Sequence, residues 1–483
     1  MAVRIGTPVA VHVLMRIRFD RGTLVLEAEH AGEDPRRIPG ATWDDQLLAW
    51  RFPAEDHTRL IGRLADQGVR ITDETRPPRL AGSWQLPPLR WYQQEALEHW
   101  ESRGGRGVLA LPTGSGKTLT AIAAIAKLGV ATLVLVPTRV LLDQWARSLA
   151  ACWPHPIGRL GDGDHQVLPI TVATYASAVA WAPRIGDRFG LVVVDEAHHV
   201  GAWCASEILE MLVAPARLGL TATPPEDPAT LIRHVGPIAY SRRIDELTGD
   251  GLSEYDLITI PIPLTRAERT RYREDRAKFS SVYAPFQRDS AGASWSEFVR
   301  AARQTRSGRE ALAAWRSYRA LLAYPEGKRT ALRELLARHR GQRTLVFTSD
   351  NATAYAIARE LLVMPITHEI SRAERTLALG RFRSGEISVL VSSQVLDEGL
   401  DVPDADIAIV VGGSASKRRH IQRIGRVLRP REAKRARVYE LAVEETTEVG
   451  YVKRRREGLV EDGARPRSDG PRISPLGELG GVL

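Results

Sequence analysis

One stretch of the chain carries the residue types that hold phosphate groups. Residues 111–118 read Leu-Pro-Thr-Gly-Ser-Gly-Lys-Thr and lie between an apolar run and a helical pattern. Gly114 and Gly116 let the backbone wrap around an anion, and the amides at the start of the helix face that anion. Lys117 would reach the terminal phosphates of a nucleoside triphosphate, and the hydroxyl of Thr118 would ligate Mg²⁺. The spacing therefore predicts a P-loop that binds a triphosphate with its metal ion.

A second group of polar residues follows an apolar run further along the chain. Residues 192–194 are three valines, and Asp195, Glu196 and His198 come after them. Ligands of open α/β sheets bind where the strands end. We therefore expect Asp195 to hold Mg²⁺, Glu196 to act on the attacking water, and His198 to link the site to a second domain.

The third chemical element is basic. Residues 422–429 read Gln-Arg-Ile-Gly-Arg-Val-Leu-Arg. Arg426 and Arg429 are three positions apart, so they share one face of a helix. Arginines that reach a bound triphosphate from across a cleft raise the rate of hydrolysis by roughly 10³ to 10⁵. The three elements together predict a nucleoside triphosphatase whose site is built from two domains.

The elements that would position these residues form two regions of the same kind. Short apolar runs alternate with helical segments such as 118–127 and 140–150, which favours parallel, doubly wound sheets. The expected strands are 108–111, 132–136, 191–194 and 218–220 in the first region, and 344–348, 387–392, 407–411 and 438–442 in the second.

The segments outside these two regions differ in character. The first 80 or so residues indicate a small α/β unit, with a hairpin of strands at 16–19 and 23–27 and a helix over 55–67. Residues 265–328 are helical and basic, with 14 Arg and Lys against 7 Asp and Glu, and aromatic residues are interleaved. That segment is either a subdomain with an aromatic core and a solvated basic face or an arm that contacts nucleic acid.

Composition sets further bounds. The chain has 483 residues, 43% apolar and 26% charged, which excludes a disordered or fibrous protein. The net charge of +9 makes a polyanionic partner plausible. Two cysteines provide neither a zinc site nor a disulfide framework. Without a signal peptide or an apolar run of about 18 residues, we expect a soluble, cytoplasmic protein with no membrane contact.

Several segments resemble the motifs of superfamily 2 helicases of the DEAH type. In chain order they are 89–93, 111–118, 137–139, 174–175, 195–198, 221–223, 347–348, 392–403 and 422–429. The likeness is strongest to the XPB family in its short archaeal and bacterial form, and it runs over roughly 15 to 450. Residues 21–25 resemble the start of that family's damage-recognition domain, and the basic insert occupies the place of its thumb.

The resemblance implies roles for individual residues. Those expected to bind ATP and Mg²⁺ are Gln93, Thr113, Gly114, Ser115, Gly116, Lys117, Thr118, Asp195, Gly399 and Asp401, with Thr118 and Asp195 on the metal. Those expected in catalysis are Lys117, Glu196, Gln422, Arg426 and Arg429. Those expected to couple hydrolysis to movement are His198, Thr221 and Thr223. Those expected to contact nucleic acid are Thr138, Arg139, Thr174, Thr348 and Ser393.

The resemblance also implies a fold and a division of the chain. We expect an α/β protein with two RecA-like parallel-sheet motor domains in tandem, a small N-terminal α/β domain and a helical, thumb-like insert. The expected parts are the N-terminal domain (1–82), the first motor domain (83–245), a linker with the insert (246–330), the second motor domain (331–450) and a basic, loosely ordered tail (451–483).

One departure from the family leaves alternatives open. The family carries an Arg-Glu-Asp triplet after its third motif, implicated in opening duplex, whereas this chain has Pro225 before Glu226 and Asp227. We expect an ATP-dependent DNA helicase or translocase of 3′–5′ polarity, acting in repair on single-stranded, forked or damaged DNA, as a monomer and with a possible partner nuclease. The alternatives are a motor that moves on duplex or remodels nucleoprotein without strand separation, an RNA helicase, and a nucleotide-regulated binding module.

Overall fold

The computed structural model describes residues 14–28, 38–75, 77–201, 203–247, 254–393, 405–413 and 435–456. The chain divides into two compact units, Met1–Arg243 and Ile244–Leu483. Each unit is built on its own mostly parallel sheet, and the first carries a second, smaller sheet at its N-terminal end. The mixed α/β class expected from the sequence is confirmed.

The small sheet of the first unit has the order β3-β4-β2-β1-β5. Its elements are β1 (Leu14–Asp20), β2 (Thr23–Ala28), β3 (Thr42–Asp44), β4 (Ala49–Pro53), helix α1 (His57–Asp66) and β5 (Arg70–Asp73). The predicted hairpin is present, because β1 and β2 pair antiparallel up to Asp20 opposite Thr23. The predicted helix is present as well; it starts with a 3₁₀ turn at Ala54–Asp56.

The large sheet of the first unit has eight strands in the order β13-β6-β12-β11-β7-β10-β8-β9. They are β6 (Arg106–Ala110), β7 (Thr132–Val136), β8 (Gly158–Gly161), β9 (Asp164–Gln166), β10 (Ile170–Thr174), β11 (Leu191–Val194), β12 (Ala216–Thr221) and β13 (Ile238–Ser241). All neighbours are parallel except β8 and β9. Every residue of β7, β10, β11 and β12 is buried, which explains why these strands are mostly apolar in the sequence; Arg217 on β12 is the charged exception among them.

Helices connect these strands. They are α2 (Trp91–Ser102), α3 (Lys117–Leu128), α4 (Arg139–Ala150), α5 (Tyr175–Ile185), α6 (Trp203–Glu210) and α7 (Ala229–His234). Two of them begin at threonine caps: the hydroxyl of Thr138 accepts from Leu141 N, and that of Thr174 accepts from Ser177 N. The caps fix where the chain leaves β7 and β10 and turns into a helix.

A buried ionic contact joins the small sheet to the large one. A carboxylate oxygen of Glu55, which lies just before α1, is 2.8 Å from Nδ1 of His234 and 3.6 Å from the guanidinium of Arg217 on β12. The Arg217 side chain is fully buried and donates to the carbonyls of Leu209, Leu212, Ala214 and His234. Burial lowers the pKa of Arg217 to about 9, and the attraction of Glu55 opposes that shift.

The second unit contains a six-stranded, wholly parallel sheet in the order β14-β19-β18-β15-β17-β16. Its strands are β14 (Glu254–Ile262), β15 (Thr344–Phe347), β16 (Met364–Ile366), β17 (Val389–Ser392), β18 (Ile407–Val410) and β19 (Arg435–Val443). Its helices are α8 (Ile244–Leu247), α9 (Arg266–Asp289), α10 (Trp295–Gln304), α11 (Arg306–Ala323), α12 (Glu326–Arg338), α13 (Asn351–Leu361), α14 (Arg372–Ser384) and α15 (Thr447–Arg456).

The structure differs from the predicted division at two places. Strand β14 falls inside the segment expected to be a linker and insert (246–330), yet it pairs with β19 over nine residues and so belongs to the second sheet. The reason is that backbone hydrogen bonds join an edge strand to a sheet. Such a strand can therefore lie far along the chain from the strand that it pairs with. Residues 451–456 of the predicted loose tail complete helix α15. The five-part division stays a prediction.

Helices α9 to α11, here called the insert, have an aromatic core. Phe279 packs against Phe298 and Tyr318, with ring centroids 6.0 and 6.1 Å apart, and all three side chains are buried. The insert therefore has an aromatic core, as in the first of the two interpretations, and that core is continuous with residues of the second sheet. The charged residues of the insert lie mainly on the outside, and contact with nucleic acid stays a prediction.

Within the described part of the chain, every helix is too short or too polar to cross a membrane.

Candidate nucleotide site

The predicted phosphate loop lies between β6 and α3, at the carboxyl-terminal edge of the large sheet. Gly114 and Gly116 have φ values of +89° and +82°, so the loop turns through backbone conformations that favour glycine. Ser115 is buried, and its hydroxyl donates to Pro112 O at 2.8 Å. Thr113 and Thr118 are half-buried at either side of the turn. The structure thus brings the residues of the P-loop together as predicted.

Helix α2 braces this loop. The Gln93 side chain is buried, and its Nε2 donates to Ser115 O at 2.9 Å and to Gly116 O at 3.4 Å. The hydroxyl of Tyr92 donates to the same carbonyl of Ser115 at 2.8 Å. Gln93 is therefore held against the phosphate loop, and its expected role in reading adenine stays a prediction.

Asp195 and Glu196 follow β11 at the same edge of the sheet. The carboxylate of Asp195 is buried; it accepts from Trp145 Nε1 at 2.7 Å and from the amide of Glu196 at 2.9 Å. The hydroxyl of Tyr175 donates to the carbonyl of Asp195 at 2.8 Å. Glu196 has a φ of +49°, a left-handed conformation that costs a non-glycine residue of order 1 kcal/mol and is characteristic of functional sites.

The Lys117 ammonium completes the constellation. It donates to Leu111 O at 2.9 Å and to Pro112 O at 3.1 Å. Desolvation lowers the pKa of Lys117, and the attraction of Glu196 and Asp195 opposes that shift. Burial likewise raises the pKa of Asp195, against the hydrogen bond from Trp145 and the attraction of Lys117. One cation and two carboxylates therefore act on one another at the mouth of the phosphate loop.

The donor set fits a magnesium ion. Mg²⁺ prefers hard oxygen ligands, and it is typically held by one or two carboxylates together with substrate phosphates. Asp195 supplies a carboxylate whose burial disfavours its charge, so a bound cation would stabilise it. The hydroxyl of Thr118 lies at the start of the helix that follows the phosphate loop. These two residues would hold the ion.

A short hydrogen-bonded chain leads away from the carboxylates. Nδ1 of His198 is 3.4 Å from a carboxylate oxygen of Glu196 and 3.3 Å from Oγ1 of Thr221, which ends β12. Oγ1 of Thr221 also accepts from Thr223 N at 3.1 Å and donates to Thr223 O at 3.0 Å. The three residues predicted to couple hydrolysis to movement are thus brought together beside Glu196.

The predicted nucleic-acid contacts of the first unit are Thr138, Arg139 and Thr174. Arg139 is exposed and pairs with Asp162 at 2.8 Å. Thr138 is half-buried and Thr174 is buried, and both hydroxyls serve as helix caps. In the second unit, Thr348 is fully buried and donates to Asp350 O at 2.9 Å.

Ser393 completes this set in the second unit; it is buried and donates to Asn351. The hydroxyls of Thr348 and Ser393 would have to leave these acceptors in order to donate to a nucleic-acid phosphate. Contact with nucleic acid at all five residues stays a prediction.

Five predicted site residues lie outside the described part of the chain. They are Gly399, Asp401, Gln422, Arg426 and Arg429.

Sequence reasoning missed the residues that hold the site in place. Trp145 lies in the middle of α4 and Tyr175 begins α5, so their sequence context indicates ordinary core residues. Only their polar atoms distinguish them: an indole N–H and a phenol O–H are placed against Asp195. A buried Trp or Tyr usually finds such a partner, but the sequence does not say which one.

Comparison with known families agrees with this organisation. Residues 86–226 match the family described as type III restriction enzyme, res subunit, and residues 327–431 match the helicase conserved C-terminal domain. Residues 17–75 match the Xeroderma pigmentosum group B helicase damage recognition domain. The helicase domain of Hef from Pyrococcus furiosus shares the fold, with a TM-score of 0.53 and 21% identity over 75% of this chain and 97% of that one. The fold and the matched domains are those of a helicase.

Relatives define the family more narrowly. The DNA 3′-5′ translocase XPB2 of Sulfurisphaera tokodaii is 34% identical over 92% of this chain and 100% of its own length. The DNA 3′-5′ helicase XPB of Kineococcus radiotolerans is 30% identical over 86% of this chain and 69% of its length. A relative from Halobacterium salinarum is 31% identical over 80% of this chain, which spans 59% of that protein's length. The chain belongs to the XPB family of helicases.

Proposed function

We propose that the protein is an ATP-dependent DNA motor of 3′–5′ polarity that acts in repair. The observation that carries this proposal is geometric: Lys117 lies at the start of the helix after the phosphate loop, and Asp195 and Glu196 follow β11 at the same edge of the large sheet. A site that only bound nucleotide would not need a second carboxylate held in a strained conformation beside the first. The names of the relatives, a DNA 3′-5′ translocase and a DNA 3′-5′ helicase, support DNA as the polymer and the polarity.

The residues of the site divide the work of hydrolysis. The amides of the phosphate loop and Lys117 bind the β- and γ-phosphates, and Thr118 and Asp195 hold Mg²⁺. The ion, when bound, neutralises charge on the phosphates. Glu196 orients the attacking water and accepts its proton. Because Lys117 contacts loop carbonyls here, binding a phosphate exchanges those acceptors for stronger, charged ones.

The remaining predicted residues extend this scheme. Arg426 and Arg429 would stabilise the charge that develops in the transition state, with Gln422, Gly399 and Asp401 beside the nucleotide. The sequence from Asp195 to His198 reads as that of a DEAH-type helicase. His198 would transmit a change at Glu196 to Thr221 and Thr223. Its imidazole contacts the Glu196 carboxylate on one side and the Thr221 hydroxyl on the other.

A second candidate is a motor that moves on duplex DNA without separating the strands. Pro225 stands where the family has the arginine of its duplex-opening triplet. Asp227, one of the two remaining carboxylates, accepts from Ala229 N at 3.0 Å at the start of α7, so it has a local structural task. RNA as the polymer, a partner nuclease, a monomeric state and a cytoplasmic location stay predictions from the sequence.

The test is ATP hydrolysis by the full chain with no polymer, single-stranded DNA, duplex DNA and RNA at one fixed salt concentration. The same reactions carry a labelled duplex with either a 3′ or a 5′ single-stranded tail. We expect single-stranded DNA to stimulate hydrolysis and the 3′-tailed duplex to be released. The Glu196→Gln variant is the matched control, since it should bind ATP and release nothing.

Three outcomes separate the candidates. Strong stimulation without release identifies the duplex motor, and Pro225→Arg should then restore release if the missing arginine is the cause. Stimulation by RNA but not by DNA identifies an RNA helicase. Hydrolysis that no polymer changes contradicts the motor proposal.

A further inference from the structure

The small sheet of the first unit carries an exposed apolar patch. Trp43 on β3 is 44% exposed, and Leu47 and Leu48, in the turn that follows, are 40% and 74% exposed. Trp50, which is half-buried, lies directly opposite Trp43 on β4. We call these four residues the hairpin patch, because β3 and β4 form a hairpin. The nucleotide site uses none of them.

The patch continues the apolar face of the small sheet beyond its core. Trp50 and Phe52 share one face of β4 and pack with the core of this sheet, which includes Leu24 and Leu60. The ring centroids of Trp43 and Trp50 are 5.1 Å apart, at an interplanar angle of 60°. Trp43 therefore extends this face to the edge of the sheet, where water can reach it. Contiguous exposed apolar groups of this kind mark interaction sites.

The turn between the two strands holds the patch in one arrangement. The amides of Gln46 and Leu47 donate to the same carboxylate oxygen of Asp44, at 2.9 and 3.1 Å. Nε1 of Trp43 donates to a carboxylate oxygen of Asp45 at 2.9 Å. A surface that is ordered before binding loses less conformational freedom when a ligand arrives.

The charge beside the patch disfavours nucleic acid as its ligand. Residues 38–50 contain two aspartates, Asp44 and Asp45, and no Lys, Arg or His. The next cation, Arg51, is 2.7 Å from a carboxylate oxygen of Asp20 and 2.6 Å from one of Asp44. A nucleic acid binds through cations that replace its counterions. This segment instead offers carboxylates, which attract a positively charged ligand.

The position of β3 favours an extended peptide as that ligand. Strand β3 is at the edge of the small sheet, and β4 is its one neighbour among the described strands. An edge strand presents backbone N–H and C=O groups with which an added peptide strand can pair. Alternate side chains of that peptide would lie on the face that carries Trp43. A lysine or arginine there could approach both the Trp43 ring and the Asp45 carboxylate.

We propose that the hairpin patch docks an extended segment of a partner protein that combines apolar residues with lysine or arginine. The segment pairs with β3, its apolar side chains cover Trp43 and Leu48, and its cation lies against Asp45. Tryptophans at such contacts commonly carry a large share of the binding energy. The proposal is independent of the motor activity, because the nucleotide site contains none of these residues.

The test selects ligands for the full chain from a displayed library of random ten-residue peptides. Enriched peptides are synthesised with a fluorescent label, and anisotropy measures their affinity. The variant W43S/L48S is compared with W295S/L362S, which removes another exposed pair; Trp295 is 40% exposed, and Leu362 shares the left-handed φ of Leu48. We expect the enriched peptides to combine Lys or Arg with branched or aromatic residues. W43S/L48S should bind them at least about tenfold more weakly, and the control should stay within about twofold of the wild type.

An exchange of charge tests the cationic contact. Asp45→Lys should weaken binding of the enriched peptides by about fivefold or more, and peptides with Glu in place of Lys and Arg should bind this variant more tightly than the wild type. The matched control is Asp66→Lys, an exposed aspartate that ends α1, the helix before β5 at the opposite edge of the sheet. Thermal unfolding of each variant checks that the fold is kept. Leu48→Ser alone, in an exposed turn, replaces the double variant if that one does not fold.

Four outcomes would overturn the proposal. The first is a selection that enriches no peptide, and the second is a set of peptides that binds W43S/L48S as tightly as the wild type. Weaker binding of labelled DNA by W43S/L48S than by its control would assign the patch to nucleic acid. A wild-type dimer in sedimentation velocity that W43S/L48S abolishes would assign it to a second copy of this chain.

Discussion

The nucleotide edge of the large sheet and the surface of the insert both carry dense charge, but they hold it in different ways. At the nucleotide edge, Asp195 is buried and each of its carboxylate oxygens accepts a hydrogen bond from a fixed donor. On the insert, Arg269 and Arg276 are exposed, and the aromatic residues of the same helices are hidden inside. A buried charge is costly unless it is paired, so the residues around it must supply hydrogen bonds or an opposite charge. An exposed charge is solvated by water, so it places few demands on its neighbours and can bind another molecule.

The largest expected effect is on ATP turnover, from the loss of Arg426, which is predicted to bring a positive charge to the nucleotide. Arg426→Ala should lower ATP turnover by about 10³ or more, as for other arginines that reach a transferring phosphate, while ATP affinity changes far less. Turnover with saturating DNA and nucleotide binding measured separately provide the check, with Arg426→Lys as a variant that keeps the charge. An unchanged rate for Arg426→Ala would mean that the site does not use this residue.

Glu196→Gln tests the second carboxylate. The amide cannot accept a proton, so turnover should fall by about 10² to 10⁴ while ATP still binds. Single-turnover hydrolysis and a binding titration separate the two quantities. Normal turnover would remove Glu196 from the role of base.

Glu55→Gln tests how much a buried charged contact outside the nucleotide site contributes to stability. It leaves Arg217 and His234 without their carboxylate, so the free energy of unfolding should drop by about 3 kcal/mol. Burial raises the pKa of Glu55, but the contacts with His234 and Arg217 outweigh it and the net pKa lies below its ordinary value. The wild type should therefore keep this stability above about pH 4.5 and lose it as the pH falls through the lowered pKa.

The pH dependence distinguishes this contact from a general loss of packing. Denaturant unfolding between pH 3 and 7 should show a smaller acid slope in Glu55→Gln than in the wild type. Parallel curves would mean that the charge of Glu55 does not stabilise its buried contact with Arg217 and His234.

Trp145→Phe removes the indole donor to Asp195 and keeps a smaller aromatic ring in its place. The half-saturating Mg²⁺ concentration for hydrolysis should rise about tenfold, because the carboxylate is less firmly oriented. Trp181→Phe, in α5 and away from Asp195, is a matched control. Equal Mg²⁺ dependence in both would assign Trp145 to packing alone.

The smallest effect is expected on the insert. R288A/R300A/R303A removes three charges from an exposed surface, so the free energy of unfolding should change by about 0.5 kcal/mol or less per substitution. A loss as large as that of Glu55→Gln would contradict the contrast between buried and exposed charge.

The same contrast explains what the sequence could predict. The phosphate loop and the carboxylates after β11 need particular residue types at fixed spacing, so they were found from the sequence, as were the buried strands that carry them. Trp145 and Tyr175 were missed because their partner lies 50 and 20 positions away and only folding brings them together. The aromatic residues of the insert left two readings open, since composition does not say which side of a helix is covered.

The second sheet shows a different limit. Strand β14 lies in the segment predicted to be a linker with the insert (246–330), because the sequence gives no sign that its partner is β19 on the far side of the insert. Pairing between strands that are distant in the sequence depends on the whole topology, and the local hydrophobic pattern does not predict it.

The packing of Gly116 against Gln93 has an evolutionary consequence. A Cβ atom on Gly116 would lie 2.4 Å from Nε2 of Gln93, an amide that two carbonyls of the loop already hold. The glycine is therefore constrained twice, by the glutamine and by its own φ of +82°, so loss of the glutamine would remove the clash and the brace but would not free the glycine to change. The evolutionary dependence runs one way: descendants of this sequence can lose Gln93 and keep Gly116, but they should not replace Gly116 even where Gln93 is gone.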